Sequence, residues 1–275
     1  MKSIRIATIL VFIASAVFYI FGRQSVIQSD TTPPKITAES DFLEIEAGSD
    51  ETELLQGLTA IDDRDGDITS EILIGNISDF TEKGTCMVQY LVFDENNNVG
   101  EYERAVHFAS YISPRFTLTQ PFAYTESGDL ILSDRLGAED VLDGDITGRI
   151  RYIYSDIDRT KPGTYELTAS VKNQYGDEVQ ETFPINIISR EITTNQIQLD
   201  SYLIYVEKGS EIHPEDYIKK AVDSEGNEIS KEEVRITAQV NTKEIGSGQF
   251  CYEIYNDDEV ISTTYLTVIV TDERG

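Results

Sequence analysis

The sequence predicts an all-β protein: three two-sheet units in tandem behind one apolar N-terminal helix. Three observations predict it. Asp65-Gly66-Asp67-Ile68-Thr69 returns unchanged as Asp143-Gly144-Asp145-Ile146-Thr147, 78 residues on, and worn as Glu225-Gly226-Asn227-Glu228-Ile229-Ser230 after a further 82. Self-similarity at a near-constant interval sets an architecture before any local detail does. Each copy also sits between the same landmarks, a hydrophobic run ending in glycine upstream and a glycine opening an alternating strand downstream. Finally, one long uncharged apolar run stands at the N-terminus.

The strands follow from period-two alternation. In Gly163 to Val171, Tyr165, Leu167, Ala169 and Val171 point one way, and Glu166, Thr168 and Ser170 the other. Such a pattern marks a strand with one buried face. A slip of one residue would bury the polar set, so the register is well specified. The corresponding strands are Gly84 to Val92 and Gly248 to Tyr255, each followed by a polar turn and a closing strand. Burying one face of each strand requires two sheets packed face to face.

The N-terminus reads Met-Lys-Ser-Ile-Arg, and Ile6 to Gly22 is then a 17-residue uncharged run ended by Arg23. At about 1.5 Å rise per residue such a helix is near the short limit for crossing a bilayer. Lys2 and Arg5 precede it, so the positive-inside tendency places the C-terminal bulk outside. A cleaved signal peptide with Ala14-Ser15-Ala16 as its small-residue site is the rival. Val17 to Phe21 continue the apolar run past that site and favour an uncleaved anchor. Both readings export the chain.

After the anchor, residues 24–32 form a polar tether, and Pro33-Pro34 stiffens the entry to the first unit. Thr52 to Leu58 predicts one helical turn, and Ile72 to Ile77, Thr85 to Phe93 and Glu103 to Phe108 predict strands. Arg149 to Tyr154 is a strand expected to turn Ile150, Tyr152 and Tyr154 to the core and its arginines to solvent. Pro214 to Lys220 predicts a short helix. The junctions are short and not glycine-rich, which predicts a semi-rigid rod.

The repeated Asp-Gly-Asp-Ile-Thr, the glycine-opened strand and the Asp or Asn that begins the following polar turn resemble the bacterial Ig-like surface repeats, which are cadherin-like β-sandwiches. The resemblance covers roughly residues 33 to 271, and the third copy departs most, with Glu225-Gly226-Asn227 for Asp-Gly-Asp. It implies three tandem Ig-like β-sandwich domains, which follow the N-terminal transmembrane helix expected from the apolar run. The divisions are 1–23 for the anchor, 24–32 for the tether, and 33–110, 111–190 and 191–275 for the domains. It says little about function, because the family is defined by its framework.

Composition narrows the function classes. There are 50 acidic and 22 basic residues, for a formal charge of −28. Phosphate backbones would repel such a chain, so nucleic acid is not an expected partner. Cys86 and Cys251 lie at non-equivalent places in different repeats, Cys86 facing the core and Cys251 on the face opposite Phe250 and Tyr252. A disulfide between them is not expected. His107 and His213 have no metal-spaced neighbours, and no nucleophile elbow, zinc helix or phosphate loop is present. The chain is read as non-enzymatic.

One cluster suggests a ligand. Asp62, Asp63, Asp65 and Asp67, with Glu139, Asp140, Asp143 and Asp145 in the second repeat, gather hard oxygen donors of the kind calcium takes. The loop fails the EF-hand pattern, because Ile61 and Ile72 fall where the first and twelfth ligands belong. A turn is the competing reading: Asp-Gly supplies positive φ and Ile68 plugs the core. Recurrence favours the turn. Asp94-Glu95-Asn96-Asn97-Asn98 is likewise read as a strand-connecting turn. No cofactor is expected apart from this candidate calcium. The expected function is a membrane-anchored stalk or adhesion module at a bacterial cell surface, held by residues 6–22 and binding an extracellular protein or glycan. The alternatives are a calcium-dependent adhesin, a glycan-binding accessory module, and secretion after cleavage.

Overall fold

The computed structural model describes residues 11–20 and 30–272. The described residues form six β-sheets. The first seven strands are β1 (Lys35–Ala38), β2 (Phe42–Glu46), β3 (Leu58–Asp62), β4 (Gly66–Asp67), β5 (Leu73–Ile77), β6 (Thr85–Phe93) and β7 (Val99–Ala109). They form a three-stranded sheet, β1-β3-β4, and a four-stranded sheet, β2-β7-β6-β5. Alternation drives the burial: along β6, Cys86, Val88, Tyr90 and Val92 are fully buried while their neighbours are partly exposed.

The next strands are β8 (Arg115–Leu118), β9 (Ala123–Thr125), β10 (Leu136–Asp140), β11 (Gly144–Asp145), β12 (Arg151–Ser155), β13 (Gly163–Lys172) and β14 (Glu178–Ile188). They repeat the plan as β11-β10-β8 and β12-β13-β14-β9. Phe116, Leu136 and Ala138 of the small sheet share one core with Leu167, Ala169 and Phe183 of the large one, so the two sheets pack face to face. Phe116 and Phe122 both meet Phe183 edge-on, at 5.1 and 5.9 Å between ring centroids.

Last come β15 (Ile197–Leu199), β16 (Leu203–Glu207), β17 (Ile218–Ala221), β18 (Arg235–Gln239), β19 (Gly246–Asn256) and β20 (Glu259–Thr271). Here the small sheet keeps two strands, β15-β17, against β16-β20-β19-β18. The short helix expected at Pro214 to Lys220 is a 3-10 turn over Pro214–Tyr217, after which Ile218–Ala221 pairs with β15. The one turn of helix expected from Thr52 is a 3-10 turn at Glu51–Leu55, capped by the Asp50 carboxylate.

The described chain falls into two compact units. One takes in most of the first sheet pair, and the other runs from Phe108 to the end. Within the second unit the rod expectation does not hold. The β14 strand packs on β19, and Asn186 and Gln249, 2% and 1% exposed, exchange side-chain amide hydrogen bonds of 2.8 and 3.2 Å. The outer face of β19 and β20 is therefore covered, which buries Cys251 beside Thr263 on the side away from Phe250. Both cysteines are free thiols, and burial pushes Cys86 up to about 11.

One expectation needs correction, and another falls partly outside the described residues. The β12 strand does not turn its apolar residues inward: all five residues are exposed, Tyr152 at 46% and Tyr154 at 54%. It pairs on one side only, and a register shift between Tyr152 and Tyr154 breaks the alternation that would have buried one face. The apolar run 6–22 is described only over 11–20, which is helical. Residues 6–10 and 21–22 lie outside the described residues. Among the described residues no helix is long and apolar enough to cross a membrane.

Candidate cation site

The repeated pentapeptide builds a tight turn in the same way twice. Gly66 and Gly144 sit at φ 75° and 69°, where a side chain would be strained. The Asp62 Oδ1 accepts from the N–H groups of Arg64 and Asp65 at 2.8 and 3.0 Å, and Asp140 Oδ1 accepts from Leu142 and Asp143 at 2.9 and 3.0 Å. Thr69 and Thr147 each turn their Oγ1 back to the N–H of Ala60 or Ala138, both at 3.0 Å. Ile68 and Ile146 fill the space beneath.

Most of the eight candidate ligands are committed to this frame. Asp67 and Asp145 accept from the N–H of Thr69 and Thr147, and the threonine contacts hold both carboxyls below the usual carboxylate range. Asp65 Oδ2 takes the N–H of Glu95 at 2.8 Å, and Asp143 Oδ2 that of Gln174 at 2.8 Å while also pairing with Arg149. Asp63 and Glu139 are exposed. None of these six joins a metal-sized group of carboxylates among the described residues.

Asp62 does. Its carboxylate lies with those of Asp30 and Asp94, each offering one oxygen within 4.8 Å of the others. All three residues are buried, at 8%, 4% and 6% exposure. Three distant segments deliver them: the chain ahead of β1, the end of β3 and the residue after β6. The Asp30 oxygen Oδ1 takes the Thr32 N–H at 2.9 Å, and its backbone carbonyl takes the Asn98 amide at 3.2 Å. Asp94 Oδ1 takes the N–H groups of Asn96 and Asn98 at 2.9 and 2.7 Å.

Two oxygens in this cage are left over. Asp30 Oδ2 and Asp62 Oδ2 are buried and accept no hydrogen bond. The Arg64 Nε lies 3.4 Å from Asp30 Oδ2, a charge contact without hydrogen-bond geometry, from a side chain half exposed to water. The N–H groups of Asp65 and Arg64 hold Asp62 below its ordinary carboxyl range, so it is ionised at neutral pH. Three carboxyl groups and one guanidinium thus meet at this cage. Two oxygens bound at about 2.3–2.6 Å from one calcium ion stand no more than about 5 Å apart, which the cage satisfies.

Sequence reading found Asp62 and missed its partners. Asp30 had been assigned to the tether and Asp94 to a turn. The turn describes the local geometry at Asp94, Asp30 is instead buried against the sandwich, and neither assignment contains what the fold brings together.

The fold and the cage define a protein of paired β-sheets with one buried acidic cluster among the described residues. No family model matches the chain. It is 27% identical over 206 residues to the pesticidal crystal protein Cry22Aa of Bacillus thuringiensis. That match covers 72% of this chain, and the chain spans 27% of that relative. Among solved structures it is similar to the CBM51-2 and INT domains of Clostridium perfringens ZmpB, solved with GlcNAc, at 17% identity over 55% of this chain and 28% of the other, TM-score 0.23. It is also similar to mouse cadherin-23 EC22-24, at 12% identity over 87% and 99% of the two chains, TM-score 0.20. At these scores the structural likenesses carry no argument about fold or function.

Proposed function

We propose that the chain is an exported, non-enzymatic binding or adhesion module whose first sandwich takes up one calcium ion between Asp30, Asp62 and Asp94. The observation that carries this reading is the buried trio in which Asp62 Oδ2 accepts no hydrogen bond and Asp30 Oδ2 has only the 3.4 Å Arg64 contact, because a buried carboxylate oxygen without a hydrogen bond is costly. An all-oxygen donor set matches calcium or magnesium and not zinc or copper. Asp30 stands just ahead of β1, so the ion would clip the entry segment onto the sandwich and stiffen the passage from tether to module.

The three sheet pairs are proposed to correspond to domains 33–110, 111–190 and 191–275. The basic start and the apolar run 6–22 support a single-pass anchor with these domains outside a bacterial cell. The pesticidal role of the Bacillus relative is not carried over. The exposed Tyr152 and Tyr154 favour glycan as a second class of partner, since sugar faces stack on exposed aromatics.

Titration calorimetry on the full chain, stripped with chelator, tests the cation reading. The expected result is calcium uptake abolished by Asp30→Asn or Asp94→Asn. Heat of binding that survives both substitutions places the ion elsewhere. A glycan array run with the parent and with Tyr152→Ala/Tyr154→Ala tests the second class.

A further inference from the structure

The second sandwich contains the same cage, built from different chemistry. Asp140 stands two residues after Ala138 as Asp62 stands two after Ala60, with the same two turn N–H groups on its Oδ1. Asn173 follows β13 as Asp94 follows β6. Its Oδ1 accepts from Tyr175 and Asp177 at 3.0 and 2.9 Å, the spacing with which Asp94 takes Asn96 and Asn98. Tyr111 comes from the segment ahead of β8 as Asp30 comes from the segment ahead of β1. Two of the three acids of the first cage are thus a phenol and an amide in the second.

Those two groups occupy the space where a cation would sit. Asn173 Nδ2 donates to Asp140 Oδ2 at 3.2 Å and to the Tyr111 hydroxyl at 2.8 Å. The Tyr111 hydroxyl donates to Asp177 Oδ2 at 2.8 Å and lies 3.4 Å from Asp140 Oδ2. The oxygen that is orphaned in Asp62 is therefore supplied with donors in Asp140. Burial, and then the contact with Asp177, push the Tyr111 phenol well above its ordinary range, so it keeps its proton. In the third repeat Asp223 is the counterpart, two residues after Ala221. It lies in an open turn and closes on Asn227, whose amide reaches Asp223 Oδ2 at 3.0 Å.

We propose that the chain is a one-cation protein: Tyr111 and Asn173 replace the ion in the second cage with fixed donors, and only the first sandwich answers to calcium. This rests on the cation reading of Asp30, Asp62 and Asp94. Its consequence is that calcium regulates the entry end of the module and leaves the Phe108-to-end unit indifferent.

Bound calcium is counted by equilibrium dialysis of the full chain against radioactive calcium chloride in 0.15 M salt, which screens diffuse attraction to the acidic surface. The parent should hold one ion per chain, Asp62→Asn none and Asp140→Asn one. Tyr111→Asp/Asn173→Asp should hold two. Two ions on the parent, or loss of an ion on Asp140→Asn, overturns the proposal while leaving the first site standing. No ion on the parent removes the cation reading itself, and the proposal with it. Should the double variant not fold, the Asp62→Asn and Asp140→Asn counts decide alone.

Discussion

Asp62 and Asp94 present carboxylate oxygens within 4.8 Å of each other, from strand ends on opposite sheets, both nearly out of reach of water. Two like charges so placed repel strongly, since little solvent screens them. A cation held between them relieves that repulsion, so Asp62→Asn should lower the melting temperature of the first sandwich more when calcium is present than when it is chelated. Differential scanning calorimetry in both conditions checks the difference. An equal loss in both conditions would mean that Asp62 serves the turn alone.

Acid should act on the same residue. The Asp65 and Arg64 N–H groups depress the Asp62 carboxyl below its ordinary value of 3.8. A carboxylate depressed by folding adds stability that is fully present above the unfolded value and is lost as pH falls through the folded one. Stability of the first sandwich in chelator should thus fall below about pH 4. Asp62→Asn should flatten that acid limb in melting curves taken from pH 2 to 6.

Gly100 is the closest backbone contact at the entry. A Cβ there would stand 2.2 Å from the Pro34 carbonyl oxygen. Gly100→Ala should cost about 1–3 kcal/mol by urea denaturation, as overpacked sites do. Because Pro34 lies four residues from Asp30, the same change should weaken calcium binding. Gly148→Ala, which meets nothing within 4 Å, is the control and should do neither.

Arg104 is 2% exposed and donates to the Leu54 carbonyl at 2.7 Å and to the Tyr90 hydroxyl at 3.2 Å. Tyr90 also donates to Leu54, at 2.8 Å, and its ring carries the guanidinium 5.2 Å from its centroid. This buried knot ties the 3-10 turn to β6 and β7. Arg104→Met should cost about 2–3 kcal/mol and Tyr90→Phe about 1 kcal/mol, since a charged donor is worth more than a neutral one. Equilibrium urea unfolding of the two variants measures both.

Asn186 and Gln249 should be coupled energetically. Truncating either removes both mutual bonds, while Gln249 keeps Gln239 and Asn186 keeps Thr164 and the Phe122 carbonyl, so either alanine substitution should cost about 1–3 kcal/mol. A double-mutant cycle should return about 0.5–3 kcal/mol of interaction between them. Additive losses would mean that the two sheets touch without holding each other.

Much of the framework was legible in the sequence because it is periodic. Alternation marked β6 and β13, and Asp-Gly at a fixed place before an isoleucine plug marked the turns, because local chemistry decides both. The exposure of β12 was not legible, because it depends on a register shift and on the lack of a neighbour along one edge. Of the cage, Asp62 stood out because it belongs to a run of acids. Asp30 and Asp94 are separated from it by 32 residues on either side, and only the packing of the entry segment and the β6 turn brings them to it. The phenol and amide of the second cage were hidden for the same reason: Tyr111 and Asn173 carry no signal until they are seen to stand where acids stood before.

The most direct test of the cation-tied first sandwich is the melting temperature of the full chain with calcium and then with chelator. A ligand held only by the folded state adds about 2.7 kcal/mol when present at a hundred times its dissociation constant. For a domain of this size that is a rise of roughly 10 °C or more in the transition of the first sandwich. The rise should vanish in Asp30→Asn and persist in Asp140→Asn. A transition that stays at the same temperature with and without calcium would contradict the account and leave Arg64 as the counterion of the cage.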